Sequence, residues 1–296
     1  MKLGVGVSPT TSIVASQTAA VISAGGGGAS PTIESIRESR VFTWTAGLST
    51  TSQTVINRES SPADGSSQTT YDVRQGTSTG SDSRDPTYGS SLKNYRQSST
   101  SSLDFLTMEG FKTTTTFTNS LHKAGAEFTI ELGVNFQTAP SVVGLIASTA
   151  EDTNDTGVSF RQSSANKFDV IFHKGQSGVF LFTRSGDTAL STGVHHIVFS
   201  AKANDTSFAT ADGSFYSFNS GGDTFTLDFT SQTPSTGNST HNWHFLTSLL
   251  DANLSNPRFQ MGNSSGLGYF AVYNKAVTKA EADILYANAP APYDGS

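Results

Sequence analysis

The sequence predicts an all-β sandwich, carried on an extended N-terminal arm and followed by a short C-terminal helix. Three observations predict it. Phe128, Ile130, Leu132, Val134 and Phe136 alternate with Thr129, Glu131, Gly133 and Asn135, the period of two that marks a strand with one face in a core. Short apolar runs recur along the chain with turn residues between them, a pattern of stacked sheets rather than of alternating strands and helices. Phe occurs 20 times and Tyr 8 times, while charged residues are only 14% of the 296 positions. Aromatic-rich, charge-poor usage suits pleated, half-buried surfaces, and a chain this long can build its core without a metal or a disulfide.

Residues 1–40 read as a Gly/Ser-rich arm. Gly25 to Gly28 maximise backbone freedom, and no strand or helix period persists around them. Ile33 and Ile36, with Glu34, Arg37 and Glu38, fit one turn of helix. The sandwich domain is expected over 41–296, beginning with the strand Val41-Phe42-Thr43-Trp44-Thr45. Residues 49–100 are loop-rich, with turns at Pro62-Ala63-Asp64-Gly65 and Asp85-Pro86-Thr87-Tyr88-Gly89; they read as an ordered loop holding short strands. After Phe128–Phe136, strands are expected around 142–146, 168–172, 179–182, 194–199, 215–218, 225–229, 243–246, 259–261 and 269–273. Asn154-Asp155-Thr156-Gly157 and Asp212-Gly213 read as turns. Thr278-Lys279-Ala280-Glu281 has capping-box spacing, with Thr at the cap and Glu three residues later. Ile284 and Leu285 form an apolar stripe with Ala280 and Ala287, and Pro290 and Pro292 stop the helix.

Several function classes fall away on composition. There is no cysteine, which removes a disulfide-stapled scaffold. Net charge is −6 and the cations are scattered singly, whereas a nucleic-acid groove clusters them. No segment approaches the roughly 20 apolar residues of a membrane-spanning helix. Polar residues from Ser8 to Thr18 interrupt any signal-peptide apolar region.

The segment from Gly268 to Glu281, Gly-Tyr-Phe-Ala-Val-Tyr-Asn-Lys-Ala-Val-Thr-Lys-Ala-Glu, resembles the closing strand, turn and helix of laminin-G-like, concanavalin A-like lectin/glucanase domains. Phe128–Phe136 resembles the early core strand of that family. Gly193-Val194-His195-His196-Ile197-Val198 resembles its later strand, with Val194 where the family has Trp, and Asp212-Gly213 the turn that follows. The resemblance covers roughly residues 100–290 (101–290 best) and implies a concanavalin A-like jelly roll. The first hundred residues resemble tailed-bacteriophage proteins that carry this domain, through Met1-Lys2-Leu3-Gly4-Val5-Gly6-Val7, Asp64-Gly65, Tyr71-Asp72 and Asp85-Pro86-Thr87.

Chemistry is sparse. Glycan-cleaving relatives carry Glu-x-Asp-x-Glu on one strand, and this sequence has no such pattern. Glu127 and Glu131 share a strand face but stand about 13 Å apart, against the roughly 5–9.5 Å of paired glycosidase carboxyls. They read as solvated residues opposite Phe128, Ile130 and Leu132, with a cross-strand carboxylate pair left open. His195 and His196 point to opposite faces of a strand, and His241 and His244 lack zinc-protease spacing; all four read as structural. Asp152, Asn154 and Asp155 are a candidate calcium loop, and Asp205 and Asp212 another, though both read equally as Asx turns. Trp243, Tyr216 and Tyr88 are candidate glycan platforms, each also readable as core or rim. There is no Gly-x-Ser-x-Gly elbow and no phosphate loop.

The resemblance implies a non-enzymatic structural component of a tailed-phage virion, decorating the head or forming part of the tail or a fibre. Such a protein is made in the host cytoplasm and sits at the virion surface. No cofactor is expected. The expected partners are other virion proteins, further copies of this chain, and glycans of the host or its surroundings. A free carbohydrate-binding lectin module and a glycan hydrolase are the alternatives.

Overall fold

The computed structural model describes residues 30–295 except 48–52, 79, 98–103, 109–116, 124–125, 138–143, 151–154, 163–166, 177–178, 186–189, 204–209, 218–220, 229–236, 240, 250–256 and 262–264. Within 174–189, 203–236 and 247–260 it describes the backbone alone.

The apolar runs pair into two large antiparallel sheets. The first contains β1 (Arg40–Thr45), β4 (Thr87–Gly89), β5 (Asn94–Arg96), β7 (Glu127–Phe136), β12 (Gly193–Ala203), β13 (Thr210–Ser217), β14 (Gly221–Asp228) and β18 (Gly266–Tyr273). Its order is β14-β13-β12-β7-β18-β5-β4, with β1 also on β18. The second contains β2 (Thr54–Val55), β3 (Val73–Gln75), β6 (Leu106–Met108), β8 (Gly144–Ser148), β9 (Thr156–Gln162), β10 (Phe168–Gln176), β11 (Val179–Ser185) and β15 (His244–Phe245), in the order β11-β10-β9-β8-β15-β6-β3-β2. A small pair, β16 (Thr247–Leu249) and β17 (Pro257–Gln260), stands apart. The described residues also hold two α-helices, α1 (Ile33–Arg37) and α2 (Lys279–Ala287), and two short 3-10 turns at Gln68–Tyr71 and Phe117–Ser120.

The two sheets close on one aromatic core. Phe128 meets Phe172 at 6.3 Å between ring centroids, Phe160 meets Phe199 at 5.8 Å, and Phe245 meets Phe270 at 5.1 Å. Each pair joins one sheet to the other, in the spacing that aromatic rings favour. Strand β7 is central, paired to β12 over ten residues and to β18. Its Phe128, Ile130, Leu132, Val134 and Phe136 all face the core, as the alternation requires. The architecture is the expected all-β jelly-roll sandwich.

Several expectations need correcting. The compact unit begins at Pro31, not at residue 41. Ile36 of α1 is fully buried with Leu285 and Ala282 of α2, so this turn of helix belongs to the sandwich. Residues 1–29 lie outside the described residues. Asp212-Gly213 is not a turn but the middle of β13, paired with Lys202 and Ala201. Thr156-Gly157 begins strand β9 instead of ending a turn. The segment 49–100 does hold short strands, and it supplies edges to both sheets. Helix α2 has the predicted capping box between Thr278 and Glu281. Its buried face, however, is Glu281, Ala282 and Leu285; Ala280 and Ala287 are exposed, since the larger Leu285 orients the helix.

Candidate functional site

The outer face of β7 carries the chemistry. Its core face is filled by five large apolar side chains, so Thr129, Glu131, Gly133 and Asn135 project outward. Sequence alone places Glu131 in solvent, and the structure does not: Glu131 is only 5% exposed. The outer face here is roofed by α1, α2 and the segments flanking α2: Ile36, Val277, Ala282 and Leu285 pack with Val198, Ala271 and Tyr273, and Ala289 and Tyr293 with Tyr269.

Register explains how Glu131 is satisfied. It lies opposite Ala271 of β18, so Tyr269 and Tyr273, paired with Gly133 and Thr129, are its diagonal neighbours, within reach of long side chains. Tyr273 donates its hydroxyl to Oε2 at 2.5 Å and Tyr269 donates to Oε1 at 3.2 Å. From the other side His196, opposite Gly133 in β12, donates Nε2–H to Oε1 at 3.0 Å. Gly133 makes this possible, because a Cβ there would run into the Tyr269 and Tyr293 rings. Burial, with the Glu131 charge beside them, pushes both phenols well above the usual tyrosine range.

Above this cluster opens a cleft of about 150 Å³. Three arginines line it: Arg37 from the end of α1, Arg40 from β1 and Arg58 from the loop after β2. Among the described residues, Glu131 is the one carboxylate in its lining. Arg40 is held by Glu59, Nε to Oε2 at 2.7 Å. Arg37 and Arg58 are exposed, and among the described residues neither guanidinium has an ion-pair partner.

The other candidates are dispersed. Trp243 is completely buried and stacks on Phe160 and Phe245, so its ring is core and cannot be a glycan platform. Tyr88 is 41% exposed; it lies edge-on to Tyr95 at 5.8 Å, with its hydroxyl end over Gly47, where a Cβ would collide with it. It remains available as a surface ring. Tyr216 lies in β13, with its side chain outside the described residues. Of the calcium candidates, Asp152, Asn154 and Asp205 lie outside the described residues, as does the side chain of Asp212. Asp155 is nearly buried and accepts from His241 Nε2 at 3.1 Å. Among the described residues no three His, Cys, Asp or Glu side chains gather as a metal site. His195 and His196 face opposite sides of β12, and His195 donates to the Ser191 carbonyl at 2.7 Å. Glu127 accepts from the Ala276 backbone at 3.3 Å, which leaves it well away from any pairing with Glu131 along the strand.

No protein-family model and no curated protein matches this sequence. Solved structures match by fold. One, concerning botulinum neurotoxin type C, whose cell entry depends on interaction with two ganglioside molecules, aligns over 87% of this chain and 52% of its own, at TM-score 0.53 and 10% identity. The binding domain of botulinum neurotoxin DC in complex with rat synaptotagmin II aligns over 86% and 52%, at TM-score 0.53 and 11% identity. A Trypanosoma rangeli sialidase aligns over 88% and 33%, at TM-score 0.48 and 10% identity. These likenesses agree with the β-sandwich fold. This chain spans about half the length of those neurotoxin chains, and at such identity the likeness is one of fold.

Sequence reasoning missed the cleft. Its arginines come from three separate elements and look scattered in the chain, and its roof lies at the two ends of the described fold. Two signals were present in the sequence: Tyr269 and Tyr273 sit four apart on the outward face of β18, and Arg37 and Arg40 flank the start of β1.

Proposed function

We propose that this chain is a non-catalytic structural component of a tailed-phage particle, in the head surface or in the tail or a fibre. Residues 1–30 would anchor it to neighbouring subunits, and the sandwich would face outward and touch glycans. The observation that carries the non-catalytic reading is the state of Glu131. Its carboxylate already accepts from His196, Tyr269 and Tyr273, and among the described residues no second carboxylate lines the cleft. Paired-carboxyl glycosidases need two, roughly 5–9.5 Å apart.

The virion assignment rests on the resemblance of the first hundred residues to phage proteins. The arm expected over 1–40 is taken in this proposal as the part before Pro31, where the compact unit starts; an extended segment can gain affinity by adding main-chain hydrogen bonds to a neighbour. Repetition in a particle makes an oligomer the expected state. The glycan contact is favoured by a fold shared with a neurotoxin that interacts with gangliosides, and by the exposed polar cleft.

The test mixes the full chain, and a chain starting at Pro31, with particles that lack the protein. Co-sedimentation of the full chain alone supports an anchored virion component. If neither form sediments and both bind a glycan array, the free lectin module replaces it. Release of reducing ends from a surface polysaccharide would remove the non-catalytic reading.

A further inference from the structure

We propose that the cleft over Glu131 binds the carboxylate of a single acidic sugar residue of the uronate type, through Arg37 and Arg58. The inference rests on the glycan contact proposed above only in its choice of a sugar as ligand; the anion preference comes from the cleft itself. Three guanidiniums and one carboxylate line it. Glu59 is paired with Arg40 and the Glu131 carboxylate is turned to its three donors, so among the described residues neither carboxylate forms an ion pair with Arg37 or Arg58, and three guanidiniums outnumber the two carboxylates around the cleft. Two cations without an ion-pair partner among the described residues therefore stand at one opening on a chain whose net charge is −6. A guanidinium presents a planar fork of donors that matches a carboxylate in pairs, and a local positive field on an acidic protein draws in anions.

The rest of the lining argues for a sugar over a bare ion. Thr43, Thr45 and Asn288 line the cleft and carry hydroxyl and amide groups suited to ring hydroxyls. Ile33, Leu285 and Pro290 give it an apolar wall, which an inorganic anion would not use and the carbon face of a sugar ring would. The volume of about 150 Å³ is below the roughly 300 Å³ at which drug-sized ligands are enclosed. One ring fits, and the remainder of a chain would leave through the mouth.

The test is calorimetric titration of the full chain with glucuronate, glucose and inorganic phosphate, repeated on Arg37→Gln and Arg58→Gln. Both arginines are exposed and without an ion-pair partner among the described residues, so both variants should keep the wild-type circular dichroism spectrum. The expected result is binding of glucuronate, none of glucose, and phosphate at least tenfold weaker. Each variant should lose at least tenfold in glucuronate affinity, and raised salt should weaken the wild type. Phosphate binding as tightly as glucuronate would overturn the sugar assignment in favour of a free inorganic anion. Glucuronate affinity unchanged in both variants would overturn the cleft. Glycan-array binding that persists in both variants would leave the broader glycan reading standing while this site fails.

Discussion

Glu131 shows how a position that alternation assigns to solvent becomes the most constrained polar group of the fold. Alternation gives its face correctly; what covers that face is not encoded within the strand. The three donors around its carboxylate are buried with it, so their stake is asymmetric. Removing the acceptor strands two phenols and an imidazole away from water, and each unmet buried donor costs about 1–3 kcal/mol. Glu131→Ala is therefore expected to lower unfolding free energy by about 3 kcal/mol or more in urea denaturation. Glu131→Gln, which keeps an acceptor oxygen, should lose less. A second buried group makes stability depend on pH. His122 is fully buried and donates Nε2–H to the Gly237 carbonyl at 3.1 Å, and burial pulls its pKa down to about 4. As pH falls through about 6.5 the unfolded chain takes up a proton that the folded chain refuses until about 4. Stability should hold above pH 7, fall between about 6.5 and 4, and level off below. The loss from this group is at most about 3 kcal/mol. His122→Gln should flatten that part of the profile in thermal melts at stepped pH; an unchanged profile would mean the imidazole protonates freely in the fold.

At the scale of elements, legibility followed sequence-local signals. The strand at β7 and the capping box of α2 were readable because period and spacing lie within one element. Strand β9 was hidden behind Asn154-Asp155-Thr156-Gly157, since turn-forming residues say where a chain can bend and not whether it does. Asp212-Gly213 misled for the same reason: cross-strand pairing with β12 and β14 overrides local turn preference. The face of α2 was misjudged because two alanines bury too little to fix a helix's rotation, whereas Leu285 and the roofing of β7 do. The cap itself can be weighed. Thr278 Oγ1 accepts from the Glu281 backbone N–H at 3.3 Å, and Glu281 Oε2 accepts from the Thr278 N–H at 2.9 Å. Thr278→Ala should cost about 1 kcal/mol in chemical denaturation. Because α2 roofs the cleft, the same variant should weaken any ligand bound there more than it alters the far sheet, a difference readable by amide hydrogen exchange on β7 and β10.

The whole molecule is tied together by contacts that no local window can see. Strand β1 pairs with β18, Arg40 opposite Tyr273 and Thr45 opposite Tyr269, so nearly the full length of the sandwich must be gathered before this edge forms. That topology also assembles the cleft, bringing arginines from before and after β1 to a carboxylate in β7 and tyrosines in β18. Non-local pairing of this kind makes folding slow, and it makes the first strand indispensable. Phe42 stacks on Tyr71 and Phe270, at 5.2 and 5.9 Å, and Trp44 meets Phe245 edge-on at 5.2 Å; both side chains are fully buried. Losing a buried Phe or Trp costs about 3–5 kcal/mol each, so losing both approaches the roughly 5–15 kcal/mol that holds a domain folded. Among the described residues, the core clusters draw on positions after Pro31. A chain starting at Pro31 is thus expected to melt in one cooperative transition, and a chain starting at Ala46 to show none and to aggregate. Calorimetry of the two decides it: a cooperative melt from the shorter chain would mean that β1 caps a core already complete without it, and that the cleft's arginines rest on an accessory edge.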